Sequence, residues 1–170
     1  MLKIINDLKP FFEENYRRIN VREYARLAGI SPPTASKLLG EYRKEGVLKK
    51  EEDRQFFYYF ANKENSLFID LSRIYWKMQL SKIGLIDFFE KEFINPIIIL
   101  FGSLSKAETK IDSDMDIAIF TATKKEIKLK QFEKKINRTI QLFLFQKIED
   151  VKNKDLLKNI LNGCILKGYW

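Results

Sequence analysis

The chain has 170 residues, with 31 Lys and Arg against 23 Asp and Glu, a formal net charge of +8, and no histidine. The lack of histidine excludes imidazole metal ligation and histidine acid–base chemistry, and the single cysteine, Cys164, excludes disulfides and thiolate zinc sites. No apolar run reaches the eighteen or so residues of a membrane span, and polar residues interrupt the N-terminus where a signal peptide is apolar. We therefore expect a cytoplasmic protein without a membrane partner, in which Cys164 is a small buried hydrophobe.

Length and composition are consistent with two small domains. The elements and resemblances described below place these domains at residues 1–62 and 96–170, with a helical connector at 63–95, and imply an α+β fold class. The formal charges of these segments are +3, +5 and 0, respectively, so both predicted domains are basic. This balance favours a polyanionic partner, because lysines that neutralise phosphates release counterions.

Two short helices are predicted in the first domain. Residues 21–28 are amphipathic and end at Gly29, and Ser31 is a suitable N-cap for a second helix that runs to about Glu45. Helical spacing predicts that one face of this second helix packs on the first helix, and the residues involved are Ala35, Leu39 and Tyr42 against Val21, Tyr24 and Leu27.

Residues 49–60 then predict two strands joined by a charged turn, and with the two helices they resemble a winged helix-turn-helix domain over residues 1–62. The resemblance implies that the second helix enters the major groove of double-stranded DNA and that the wing touches the backbone. The implied DNA contacts are Pro33, Thr34, Ser36, Lys37, Arg43 and Arg54. The alternative is a protein-docking module, since the acidic residues 51–53 beside the wing weaken a phosphate contact there.

The connector predicts helices over residues 65–81 and 85–93, with a break near Gly84. An apolar stripe on the first of them predicts either core or a dimer interface, and its members are Phe68, Leu71, Ile74, Tyr75 and Met78. A homodimer would present two winged helices to a palindromic DNA site.

The most informative segment begins with an apolar run at residues 97–101, which predicts a buried strand ending at Gly102 and Ser103. Gly102 has no Cβ to obstruct a ligand, Ser103 can cap a following short helix, and the amides at that helix start can bind phosphate oxygens.

A second strand is predicted over residues 111–120, where a period of two places Asp114 and Asp116 on one face. Two carboxylates that point at one spot repel each other, so a divalent cation is the natural occupant. Mg²⁺ prefers a few carboxylates together with substrate phosphates. Asp114 and Asp116 are therefore the predicted metal ligands.

Together these two strands resemble the signature of the DNA polymerase beta superfamily of nucleotidyltransferases, and the resemblance extends over about residues 82–168. It implies a mixed sheet flanked by helices, catalytic roles for Asp114 and Asp116, Mg²⁺ as cofactor, and a nucleoside triphosphate gripped by Gly102, Ser103 and Lys106. The sequence departs from the family pattern at Ala107, where a second glycine is usual.

A larger departure concerns the third carboxylate that active members of the superfamily carry on a later strand. The matching strand is residues 138–145, and the acidic position is Gln141, an amide that can ligate a metal only weakly and cannot accept a proton. The remaining C-terminal pattern predicts a basic helix over 124–137, a helix over 147–161, and a short final strand beginning at Cys164.

Two hypotheses about function remain open from the sequence. In the first, the protein is an enzyme that transfers a nucleoside monophosphate to a hydroxyl of a nucleic acid or a protein acceptor. In the second, the loss of an acid at Gln141 leaves a catalytically degenerate, antitoxin-like transcriptional regulator that senses nucleotide or binds a toxin partner.

Overall fold

The computed structural model describes residues 3–123 and 125–170. The chain divides into two compact units, one formed by the residues up to Ser72 together with Ala107–Ile111, the other by Arg73–Lys106 together with Asp112–Trp170. Among the described residues, no helix combines the length and the apolar character needed to cross a bilayer.

The first unit contains four short helices and a small antiparallel sheet. Its elements in chain order are α1 Lys3–Asp7, α2 Lys9–Glu13, β1 Ile19–Asn20, α3 Val21–Ala28, α4 Pro32–Lys44, β2 Leu48–Asp53 and β3 Phe56–Ala61. The strand order is β1-β3-β2, with β3 paired to both neighbours. The predicted helix, helix and hairpin of this region are therefore present.

The ends of α3 and α4 are set by local side chains. The Asn20 side chain accepts a hydrogen bond from the Glu23 amide at 2.9 Å, and the Ser31 hydroxyl accepts one from the Thr34 amide at 3.3 Å. The predicted N-cap at Ser31 is thus confirmed, as is the end of α3 at Gly29.

Packing between α3 and α4 follows the predicted faces in part, since Tyr42 is buried and Val21 is half-buried. Tyr24, Ala35 and Leu39 are fully buried, whereas Leu27 is 46% exposed, so the prediction that Leu27 lies in this interface is wrong. Leu27 occupies the last turn of an eight-residue helix, where about half of its surface is exposed to solvent.

The turn between β2 and β3 consists of Arg54 and Gln55, both with positive φ, at 48° and 70°. Two consecutive left-handed residues are typical of the tight hairpin turn whose twist matches that of paired strands. The predicted charged turn is confirmed, and it places Arg54 at the hairpin tip.

The connector region forms α5 Ser66–Lys82 and α6 Leu85–Glu92, which confirms the two predicted helices and the break near Gly84. The apolar stripe of α5 is mostly core, since Phe68, Leu71 and Tyr75 are buried. Ile74 departs from this pattern, because 43% of its surface is exposed.

The second unit is built on the mixed four-stranded sheet that was predicted. Its strands are β4 Ile97–Phe101, β5 Met115–Phe120, β6 Ile140–Phe145 and β7 Cys164–Lys167, in the order β6-β5-β4-β7. Strand β5 is parallel to β6, and β4 is antiparallel to both β5 and β7. The unit also contains two α-helices after β5. Helix α7, Lys130–Ile136, lies between β5 and β6 in the chain, and α8, Lys154–Leu161, lies between β6 and β7.

Both faces of the central strands are buried. Ile99, Phe101, Ala118 and Phe120 pack with Val151 and Ile160 on one face. The alternate residues point to the other face and are also fully buried, namely Ile98, Leu100, Ile117 and Ile119. This double burial explains why the sequence of β4 is continuously apolar instead of alternating.

Several predicted boundaries in this unit are wrong. The strand predicted from residue 111 begins at Met115, because the chain first turns at residues 111–112, and Ile111 is 76% exposed. The strand predicted from Arg138 begins at Ile140. Cys164, predicted to be buried, is half-buried at the start of β7.

The two predicted C-terminal helices are shorter than expected. The basic helix predicted over 124–137 is helical only over Lys130–Ile136, and Lys124 lies outside the described residues. The helix predicted over 147–161 divides into a 3₁₀ turn at Ile148–Asp150 and α8, because Asn153 caps α8 through its side chain.

Candidate nucleotide and metal site

Three strands of the mixed sheet meet at one edge. Strand β4 ends there at Phe101, while β5 and β6 begin there, and the register pairs Phe101 with Asp116 and Asp116 with Gln141. Three sequence-predicted site residues, Gly102, Asp116 and Gln141, are therefore neighbours across adjacent strands.

Gly102 lies directly against the Asp116 carboxylate. Its φ is +72°, and a Cβ built on it would overlap Asp116 Oδ2. The sequence predicted that Gly102 leaves room for a ligand, and the structure shows that the missing side chain makes room for a predicted metal ligand. Glycine is thus required here both by the backbone conformation and by space.

Asp114 and Asp116 interact electrostatically, as predicted. Burial, and then the negative charge of Asp114, raise the pKa of the Asp116 carboxyl above its usual range. The residues between and beyond them, Met115 and Ile117, are fully buried on the opposite face, so the predicted alternation holds at the start of β5.

Gln141 contacts this pair as a hydrogen-bond donor. Its Nε2 donates to Asp114 Oδ2 at 2.6 Å. The amide therefore offers an N–H group at the position where a third carboxylate would offer oxygen. Among the described residues, no group of three His, Cys, Asp or Glu side chains is clustered as metal ligands would be.

The donor set suits one hard cation. Two carboxylates at the mouth of the site, one of them partly desolvated, match the oxygen ligation that Mg²⁺ prefers. A second ion would need further anionic oxygen, and Gln141 supplies none while it donates to Asp114. The residues present therefore fit a single divalent ion held by Asp114 and Asp116.

The segment after β4 is a 3₁₀ helix at Gly102–Lys106. Ser103 lies inside this helix and not at its N-cap as predicted, while the Ser105 hydroxyl donates to the Gly102 carbonyl at 2.9 Å. Lys106, the predicted phosphate contact, donates to Asn159 Oδ1 on α8 at 2.7 Å. The loop is thus held by contacts within its own unit.

Two arginines that the sequence analysis did not single out hold the site loops. Arg73 on α5 donates from Nε to the Ser105 carbonyl at 2.8 Å and from a terminal nitrogen to the Asn162 carbonyl at 3.3 Å. Arg138 donates to the Ser113 carbonyl at 2.8 Å, and its guanidinium lies 5.1 Å from the Trp76 ring centre. The sequence does mark Arg73, because a cation within the apolar stripe of a predicted helix indicates a specific polar partner.

Ala107 occupies the position where the family pattern has a second glycine. It is fully buried with a φ of 55°. A left-handed conformation costs a residue with a Cβ about 1–2 kcal/mol, which explains the usual preference for glycine.

The predicted DNA contacts all lie in the first unit, and all are exposed: Pro33, Thr34, Ser36, Lys37, Arg43 and Arg54. The Thr34 hydroxyl is already within 2.8 Å of the Ser31 hydroxyl. The acidic residues beside the hairpin are partly neutralised, since Arg18 forms ion pairs with both Glu51 and Asp53.

A mixed sheet that brings an Asp-x-Asp pair against a Gly-Ser turn defines a nucleotidyltransferase-like domain. In agreement, residues 84–167 match the family model described as polymerase beta, nucleotidyltransferase, which covers 84 of the 170 residues. The match supports the nucleotidyltransferase domain predicted for the C-terminal part. No curated protein matches the chain.

Proposed function

We propose that the C-terminal domain binds a nucleoside triphosphate together with one Mg²⁺ ion and transfers its nucleoside monophosphate to a hydroxyl of a protein or nucleic acid. The acceptor oxygen bonds to the α-phosphorus, the bond between the α- and β-phosphates breaks, and pyrophosphate leaves. The observation that carries this proposal is the electrostatic coupling of Asp114 and Asp116 beside Gly102. Burial of the Asp116 carboxylate beside the charge of Asp114 destabilises the free protein, and a bound cation would relieve that cost.

When bound, the ion would neutralise phosphate oxygens of the nucleotide. Asp114 and Asp116 would hold it, and the open side of Gly102–Lys106 would receive the triphosphate. The backbone amides at the start of this segment would donate to its phosphate oxygens.

Nucleotide binding tests this proposal. Titration of the full chain with each nucleoside triphosphate, with and without Mg²⁺, should show Mg²⁺-dependent binding that the double variant Asp114→Asn/Asp116→Asn abolishes. Asp112→Asn is the matched control, because Asp112 is an exposed acid two residues before the pair. Unchanged affinity in the double variant would remove the site assignment.

A transfer assay separates binding from chemistry. Nucleotide labelled at the α-phosphate is incubated with the protein and candidate acceptors, and label retained on the acceptor reports transfer. The same double variant should transfer nothing, and Asp112→Asn should transfer as the wild type does.

A second function is favoured by one observation, the hydrogen bond from Gln141 to Asp114. With an amide in place of the third acid, no side chain at this position can take a proton from the attacking hydroxyl. A regulator that binds nucleotide or a partner protein without turnover fits this feature, and Mg²⁺-dependent binding without transfer to any acceptor would identify it.

For the first unit we propose double-stranded DNA binding by a winged helix-turn-helix. The support comes from α4, which follows a tight connection from α3 and carries exposed Ser36 and Lys37, and from the hairpin tip at Arg54. The ion pairs of Arg18 with Glu51 and Asp53 reduce the repulsion that this acidic segment would exert on a phosphate.

A further inference from the structure

A pocket of ≈ 580 Å³ lies in the first unit, between the start of α3 and the tip of the β2–β3 hairpin. Its lining residues are Asn20, Val21, Arg22, Glu23, Arg26, Gln55, Phe56 and Phe57. We call this surface the hairpin pocket. It includes none of the predicted DNA contacts.

Two aromatic side chains in the hairpin pocket are unusually exposed. Phe56 is 61% exposed and Phe57 is 46% exposed, although both stand in a strand whose inner residue Tyr59 is only 5% exposed. Both rings lie near the tip of the hairpin, because Phe56 and Phe57 directly follow the two left-handed turn residues Arg54 and Gln55. Two adjacent exposed phenylalanines beside a pocket form an apolar patch, which is a candidate binding surface.

Unpaired cations surround these rings. Arg22 and Arg26 are exposed, lie four residues apart on one side of α3, and form no ion pair within the described part of the chain. The acid beside them, Glu23, is already paired with Arg17 at 2.7 Å. The Lys50 ammonium lies 3.4 Å from the centre of the Phe57 ring and adds positive charge.

Acidic groups near the hairpin do not cancel this charge. Glu51 and Asp53 share one cation, Arg18, so one of their two negative charges remains, and Glu52 adds another. In the strand register Asp53 lies opposite Phe56 and Glu52 lies opposite Phe57. The cations Arg22, Arg26, Arg54 and Lys50 outnumber these two uncompensated acids, so the surface stays cationic.

We propose that the hairpin pocket binds an unstacked nucleotide of single-stranded nucleic acid, with the base on Phe56 and the phosphates on Arg22 and Arg26. Phe57 lines the pocket, but Lys50 already covers one face of its ring. Bases in a duplex present only their edges, whereas an unpaired base offers a face on which an aromatic ring stacks. The volume of ≈ 580 Å³ lies in the range of small-ligand sites. This inference extends the proposed DNA binding of the first unit to junctions between double and single strands.

The test compares three probes by fluorescence anisotropy with the full chain: a blunt duplex, the same duplex with a single-stranded overhang, and a single strand of about a dozen nucleotides. We expect the overhang to bind at least about fivefold more tightly than the blunt duplex, which corresponds to one base–aromatic stack. Phe56→Ala and Arg22→Ala should each remove this preference without changing affinity for the blunt duplex.

Three further variants make the test specific. Phe56→Leu keeps an apolar side chain but loses the ring face, so it should lose the overhang preference, whereas Phe56→Trp should retain it and show fluorescence quenching. Leu67→Ala, an exposed apolar residue of the same unit outside the pocket, should bind all three probes as the wild type does.

Three outcomes would overturn the inference. They are equal binding of blunt and overhanging duplex, equal overhang preference in Phe56→Leu, and a dimer by light scattering that Phe56→Ala dissociates, which would assign the pocket to a second copy. Blunt-duplex binding without overhang preference would overturn only this inference. Failure to bind any probe at low salt would overturn the proposed DNA binding as well.

Discussion

The edge of the mixed sheet and the surface of α4 with its hairpin contrast in how their functional side chains are held. At the sheet edge, Asp116 is half-buried, touches the backbone of Gly102 and feels the charge of Asp114. On α4 and the hairpin, Lys37 and Arg54 are exposed and contribute nothing to a core. Substitutions at the edge should therefore change folding and function together, whereas those on the surface should change binding alone.

The largest effect, a change in the transfer rate, is expected from Gln141→Asp, which places a carboxylate where active members of the superfamily have their third acid. If transfer is limited by the missing general base, the rate should rise by about 10²–10⁴ in the labelled-nucleotide assay. The same variant should be less stable than the wild type without metal, because a third carboxylate joins two that already repel each other.

The control for this prediction is Gln131→Asp, an exposed position on α7. An unchanged transfer rate in Gln141→Asp, with nucleotide binding retained, would support the regulatory alternative over the enzymatic one.

The next largest effect, on both stability and nucleotide binding, is expected from Gly102→Ala. The new Cβ would overlap the Asp116 carboxylate, and the residue would have to keep a φ of +72°, so we expect the free energy of unfolding to fall by at least about 2 kcal/mol. Mg²⁺-dependent nucleotide binding should be lost as Asp116 is displaced. Chemical denaturation and nucleotide titration measure the two effects.

Gly40→Ala provides the matched control. Gly40 lies within α4 with open space around the position of a Cβ, so alanine there should raise stability by about 0.5–1 kcal/mol. A comparable loss of stability in both variants would contradict the role assigned to the contact between Gly102 and Asp116.

Asp116→Asn should stabilise the metal-free protein at neutral pH. Because the pKa of Asp116 is raised on folding, the native state binds its proton more tightly than the unfolded state does, and stability falls as pH rises through that pKa. The advantage of the variant should therefore be present at pH 7 and vanish below about pH 3.9, the ordinary pKa of aspartate.

Thermal unfolding at several pH values in the presence of a chelator checks this sign. Added Mg²⁺ should raise the unfolding temperature of the wild type and leave that of Asp116→Asn unchanged. A variant less stable than the wild type at neutral pH would contradict the electrostatic account of the pair.

The smallest effects on the fold are expected at the exposed surface. Lys37→Ala and Arg54→Ala should each flatten the slope of log affinity for duplex DNA against log salt by about one unit. Their unfolding free energies should stay within about 0.5 kcal/mol of the wild type. Lys9→Ala, which removes a cation paired with Glu13 elsewhere on the same unit, should leave the salt slope unchanged.

Local patterns in the sequence predicted much of the fold. The cap at Ser31, the end of α3 at Gly29, the break near Gly84 and strand β4 depend on neighbouring residues, and all four are confirmed. Boundaries that depend on distant contacts were missed. Strand β5 begins only where it pairs with β4 and β6, which the apolar run from residue 111 does not encode.

In the candidate site, too, the features set by neighbouring residues were predicted and those set by distant contacts were not. The acid pair and the flanking glycine could be found from spacing alone, because alternation along one strand is a local property. The hydrogen bonds from Arg73 to Ser105 and from Lys106 to Asn159 join positions 32 and 53 residues apart. A cation within an apolar stripe marks Arg73, but no local pattern indicates the partner of either residue.

The hydrogen bonds between Asn15 and Thr109 limit where the chain can be cut into fragments. Ala107–Ile111 belongs to the first compact unit, and there the buried Asn15 side chain donates to the Phe11 carbonyl and accepts from the Thr109 amide, each at 2.6 Å. A fragment that stops at residue 72 would keep Asn15 but lose Thr109, so a buried amide oxygen would lack its partner. The two units therefore cannot be exchanged by a single cut in the chain. A chimaera with a related protein should fold only when residues 107–111 come from the same parent as residues 1–72.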